Sequence, residues 1–545
     1  MSGVSTTIPL PYTVQPTWSW DGNDGNWSTF SITIGTPGQS FRVLPSTSVS
    51  ETWIPIIEGC EGILTNVSDC GNLRGINNGR GFQVNQSSTW EQIGIYGLAS
   101  EQYLFNSTSD VGLYGLDSIG VNSADGGVYG SLPAQVVSGL ATGDFWLGSL
   151  GLGNAEGNFT VQDTGIPSLI SSMKNASRIP SMSYGYAAGA SYRGIPGSLV
   201  LGGYDADRFT SNDVNFVMGG PTNTSLGVEV SSIITLSSLS GGSMAMLPNG
   251  ESLVAAIDST VAQSWFPQAV CDQFAQAFGL TYDPVTELYL VNDTIHTQLQ
   301  QMNTDITFTI KSNDTSTATT NIKLPYAAFD LEVGIPFYND STPYFPIRVA
   351  GNDSQIVLGR SFLQEAYIFV DWEAGNFTVA QATQQNNTVS ITSVHVQIAN
   401  KHKSGLATGA IVGIVVGIVA VIAILAGVFF FLKIRARRRK SARAEATKAE
   451  TYSDDNKDME LENTNITELG SSQVHELHQD SRQLAELHQE AKLPAELHTE
   501  DSKTELMSTP INELPGHAVG QELEDTGRDV GVAKNKRNST VYELP

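Results

Sequence analysis

An all-β ectodomain in two lobes, followed by one transmembrane helix and a disordered tail, is the fold class that this 545-residue sequence predicts. Three observations predict it. Runs of β-branched and aromatic residues, punctuated by Gly, Asn and Pro, fill residues 10–395. An uncharged stretch of 27 residues follows at 406–432. The last 113 residues are polar and nearly without aromatics.

Along the ectodomain, FSITIG at 30–35, GSLVLGG at 197–203, IVLG at 356–359 and AYIFVDW at 366–372 read as strands. Short helical patterns are PSLISSMKN at 167–175, AVCDQFAQAFGL at 269–280 and HTQLQQMN at 296–303. A hydrophobic content of 40% is ample for a core, and 53 glycines with only 15% charged residues favour short strands and turns. The strands suit two barrel-like lobes, placed at 10–205 and 206–395. A net charge of -26 excludes nucleic acid as an expected partner, because phosphate binding needs basic patches.

Cys60 and Cys70 lie close together in a Gly-rich loop and suit a small disulfide ring. Cys271 falls in a helical pattern and reads as a buried core thiol. Thirteen N-x-Ser/Thr sequons between Asn26 and Asn386 fit a secreted domain carrying N-linked glycans. No His/Cys spacing resembles a metal site, and no cofactor is expected.

After a linker at 396–405, the apolar stretch exceeds the ~20 residues needed to cross a bilayer. The sequence KIRARRRKSAR follows at once, against only Lys401, His402 and Lys403 on the other side. That asymmetry places the ectodomain outside and the tail, 433–545, in the cytosol, on a plasma or secretory-pathway membrane. Gly409, Gly413 and Gly417 permit a close helix pair. Export requires a signal peptide, and MSGVSTTIPLPYTV lacks its charged and apolar regions, so that signal is expected outside this sequence. The tail repeats HELHQD, AELHQE and AELHTE every ten residues, which suits low-complexity expansion better than docking motifs for cytosolic partners.

Six motifs in order carry a family resemblance. They are FSITIGTPGQSFRVLPSTSVSETWIP at 30–55, GLYGLD at 112–117, FWLGSLGLG at 145–153, GSLVLGGYDADRF at 197–209, AAIDSTVAQSWFP at 255–267 and IVLGRSFLQEAYIFVDWEAGNFTVAQA at 356–382. Their types and order resemble the pepsin-like aspartic peptidases over about 370 residues. The resemblance implies a bilobal β fold in which each lobe supplies an Asp-Thr-Gly loop. The two aspartates share one proton, because like charges that close cannot both ionise easily. One then acts as base on a water while the other protonates the peptide carbonyl.

The second loop keeps its acid, Asp258, followed by Ser259 and Thr260. In the first loop, counting back from Trp53 puts Ser46 where the resemblance expects the other acid, followed by Thr47 and Ser48. A serine hydroxyl cannot stand in for a carboxylate. Glu51 lies five residues on, past the tight loop. Ser48 and Thr260 replace the family's glycines, while Thr47 and Ser259 match its cross-lobe hydrogen-bonding pair. Counting back from Asp117 puts the flap tyrosine's place at Phe105, or at Tyr103 if a small indel intervenes.

Three functions remain open on these residues. The chain is expected to be a membrane-anchored, catalytically inactive relative of the pepsin-like peptidases that binds a peptide, protein or other surface ligand in its interlobe cleft. The alternatives are an active endopeptidase using Asp258 with an unidentified second acid, and a structural cell-surface glycoprotein.

Overall fold

The computed structural model describes residues 8–394 except 62, 64–66, 77–79, 99, 106–110, 123–130, 160–163, 220–225, 314–317 and 384–388. Beyond these it describes 425, 427–429 and 431–435. The chain divides into two units, Met1–Ile414 and Val415–Pro545.

In the first unit the alternating pattern becomes two large sheets. The first lobe is an eight-stranded sheet ordered Pro16–Asp21, Trp27–Ile34, Gln39–Ser46, Gly148–Gly151, Thr52–Pro55, Leu132–Leu140, Val111–Val121 and Glu91–Gly97. Trp27–Ile34 also pairs with Val111–Val121, which curls the sheet toward a barrel. The second lobe repeats the plan, with Gly227–Thr235 between Leu253–Ile257 and Asp305–Lys311, and with Val357–Leu358 against Ser264–Phe266.

A six-stranded antiparallel sheet takes strands from both halves of the chain. Its order is Tyr12–Val14, Ser198–Leu201, Ser183–Ala187, Ala366–Asp371, Asn376–Gln381 and Phe216–Val217. The ladder from Ser183 to Tyr186 against Ile368 to Asp371 is the seam. Tyr184, Tyr186, Ile368 and Val370 are fully buried beside it.

Helices form where the sequence predicts them, at Leu169–Asn175, Gln268–Phe278 and Asp293–Met302. The second ends on Gly279 in the left-handed conformation, which glycine adopts without Cβ strain. Cys60 and Cys70 form a disulfide, and Cys271 is a buried free thiol whose ionisation burial pushes up to about 12.

In the second unit the described residues 425, 427–429 and 431–435 are helical. Among the described residues no helix is long and apolar enough to cross a membrane. Most of the predicted span at 406–432, and all of the tail repeats, lie outside them.

Candidate active site

Each lobe delivers one loop to the centre from equivalent strands. Gln39–Ser46 runs parallel to Gly148–Gly151, with Ser46 opposite Gly151. Leu253–Ile257 runs parallel to Val357–Leu358, and Asp258 N–H donates to Leu358 O at 3.0 Å. Both loops thread past a glycine that tolerates no side chain. A Cβ on Gly151 would meet Ser50 backbone at 2.5 Å, and one on Gly359 would meet Gln263 O at 2.2 Å.

Threonine and serine join the loops. Ser259 N–H donates to Thr47 Oγ1 at 3.0 Å, and that hydroxyl donates to Ile257 O at 3.1 Å. In mirror fashion Thr47 N–H donates to Ser259 Oγ at 3.0 Å, and that hydroxyl donates to Pro45 O at 2.7 Å. All four groups are buried, where an unmade hydrogen bond costs about 1–3 kcal/mol.

Ser46 and Asp258 sit beside this joint, both essentially inaccessible. Ser46 Oγ shares a hydrogen bond with Thr260 Oγ1 at 2.6 Å, and Thr260 Oγ1 shares one with Ser48 Oγ at 2.9 Å. Ser48 Oγ donates to Asp258 Oδ1 at 2.9 Å, which also accepts from Thr260 N–H at 2.9 Å. A hydroxyl chain thus links position 46 to position 258, built by the two residues that replace glycine. Asp258 Oδ2 is buried with no hydrogen-bond partner. Among the described residues no carboxyl group hydrogen-bonds Asp258. Glu51 lines a separate small pocket with Ser50, Gln135 and Ser168.

The two loops also repeat in sequence. Ser46-Thr47-Ser48 precedes Trp53 and Pro55 at the same offsets by which Asp258-Ser259-Thr260 precedes Trp265 and Pro267. The structure bears the repeat out in the strands. Trp53 stands across from Ser149 and Trp265 across from Val357, and each lies on a strand with a second, parallel neighbour. This internal match is a signal that the sequence reading passed over.

Residues 29–382 match the family model for eukaryotic aspartyl protease. The chain belongs to the eukaryotic aspartyl protease family. Among solved structures, an aspartic proteinase from Irpex lacteus aligns at 16% identity, covering 70% of this chain and 100% of that one, with a TM-score of 0.47. No curated protein matches the sequence.

In this aspartyl protease relative the hairpin over the cleft differs from simple counting. Glu91–Gly97 pairs with Val111–Val121, and Tyr96 stands opposite Gly112. Phe105 and Tyr103 lie beyond the strand, in the short helical turn Glu101–Phe105. On the strand itself Tyr96 packs on Tyr114 and Phe159 at ring distances of 5.9 and 5.1 Å. Burial first and the Asp258 charge second raise the Tyr103 phenol above its ordinary value. Among the described residues no acid, His and Cys cluster is placed to hold a metal.

Proposed function

We propose that this aspartyl protease relative does not cleave peptides and serves as a membrane-anchored, N-glycosylated surface protein whose interlobe cleft receives a peptide or protein segment. One observation carries the reading. Where the chemistry asks for a second carboxyl group, Ser46 Oγ bonds Thr260 Oγ1. Without it no proton is shared, so no group complements the base when a water attacks. The hydroxyls of Ser48 and Thr260 add to this by occupying one oxygen of Asp258. Membrane anchoring rests on the uncharged stretch at 406–432 and its basic flank. Glycosylation rests on the sequons, of which Asn26, Asn85, Asn158, Asn175, Asn292, Asn339 and Asn352 are exposed.

Peptide hydrolysis at acid pH tests the proposal. Wild-type ectodomain and Asp258→Asn are expected to release product at the same background rate. Ser46→Asp, with Ser48→Gly and Thr260→Gly to clear the loops, is expected to gain cleavage that Asp258→Asn removes. Cleavage by the wild type that Asp258→Asn or an aspartic-peptidase inhibitor abolishes would establish a working protease.

A further inference from the structure

We propose that the cleft carries its own occupant: residues 103–105 fill the space between the lobes and must withdraw before a ligand enters. The proposal rests on the interlobe cleft being the ligand site, and concerns its regulation.

Leu104 is 1% exposed, although it lies in the connection between two hairpin strands, where side chains usually face water. Its neighbours come from both lobes, with Trp53 and Phe145 of the first, and Val261, Trp265 and Val357 of the second, in one apolar cluster. Phe105 sets its ring edge-on against Phe145 at 5.8 Å and Trp265 at 5.4 Å. The Arg348 guanidinium lies over both the Phe105 and Trp265 rings, at 5.2 and 5.0 Å.

The backbone is held as well. Gln355, itself 1% exposed, donates from Nε2 to Tyr103 O and Leu104 O, each at 3.0 Å. Its Oε1 accepts from Gly351 N–H at 2.7 Å, so the amide is fixed on the second lobe. The turn is thus held both by its two consecutive carbonyls on a buried amide and by side chains packed on residues of both lobes. The Tyr103 hydroxyl is itself buried without a hydrogen-bond partner, as is Asp258 Oδ2.

Self-occupancy has a quantitative consequence. A segment that closes the cleft in about 99 molecules of 100 weakens any cleft ligand about 100-fold, and expelling it returns that factor. The test uses the synthetic hexapeptide Ser-Glu-Gln-Tyr-Leu-Phe, the sequence of residues 100–105, with binding followed by calorimetry. Two ectodomain variants open the cleft. Leu104→Asp with Phe105→Asp places charges in the apolar walls, and Gln355→Ala removes the two backbone contacts. Both are expected to bind the peptide at least ~10-fold tighter than the intact ectodomain. Equal affinity for the intact protein and a cooperatively folding variant, or no binding by either, overturns the proposal. Should neither variant fold, hydrogen exchange of the intact ectodomain decides. Segment 100–105 is expected to exchange more slowly than the free hexapeptide, and equal rates overturn the idea. Neither result depends on hydrolysis, so the cleavage experiment and this one fail separately.

Discussion

Thr47 and Ser259 each exchange a backbone N–H for the other's hydroxyl and pass their own proton to a carbonyl. Removing either hydroxyl orphans two buried backbone groups. Thr47→Ala and Ser259→Ala are each expected to lower stability by about 2 kcal/mol in urea unfolding. The double variant should cost less than the sum, because both remove parts of one network. The importance of these residues was legible from their place in the two loops, and so was Ser46, fixed by the GTPGQSF and TWIP flanks. The hydroxyl chain through Ser48 and Thr260 was not legible. A sequence shows side chains where the resemblance expects glycine, and does not show where their hydroxyls point. The two side chains turn their oxygens toward Ser46, Asp258 and each other.

At the level of elements, the disulfide ring carries a measurable share of stability. Cys60 and Cys70 are ten positions apart and join the turn Ile57–Cys60 to the helix Val67–Leu73. Just beyond that helix, Arg74 is fully buried and donates to the carbonyls of Gly59, Thr142, Phe145 and Trp146. The chain-entropy cost of so short a loop predicts that Cys60→Ser with Cys70→Ser loses about 3 kcal/mol, read as a lower urea midpoint. The ring was legible because two cysteines shared one loop, while Arg74 gave no warning, since an arginine in sequence reads as surface. Counting back from Asp117 puts the flap tyrosine's place at Phe105 or Tyr103, and both lie in the turn Glu101–Phe105 rather than on the strand Glu91–Gly97.

For the whole molecule, the decisive feature is the six-stranded sheet that sets three strands of the chain's first half beside three of its second. A cut after residue 205 strips Ser183–Ala187 of its partner Ala366–Asp371 and leaves buried N–H and C=O groups open. Residues 8–205 alone are therefore expected to show no cooperative unfolding by circular dichroism, and coexpression with 206–394 should restore it. A cooperative melt of the isolated half would contradict this. The sequence announced two lobes through its many short strands and its ordered family motifs. It did not announce their shared sheet, because alternation reveals which strands exist and not which distant strand each will meet.

The joint between the two central loops contains only threonine, serine and peptide groups, none of which gains or loses a proton between a neutral medium and an acidic vesicle. Acidification therefore leaves these four hydrogen bonds untouched, and of the central contacts between the loops it is the Ser48 Oγ bond to Asp258 Oδ1 that ends on a carboxyl group.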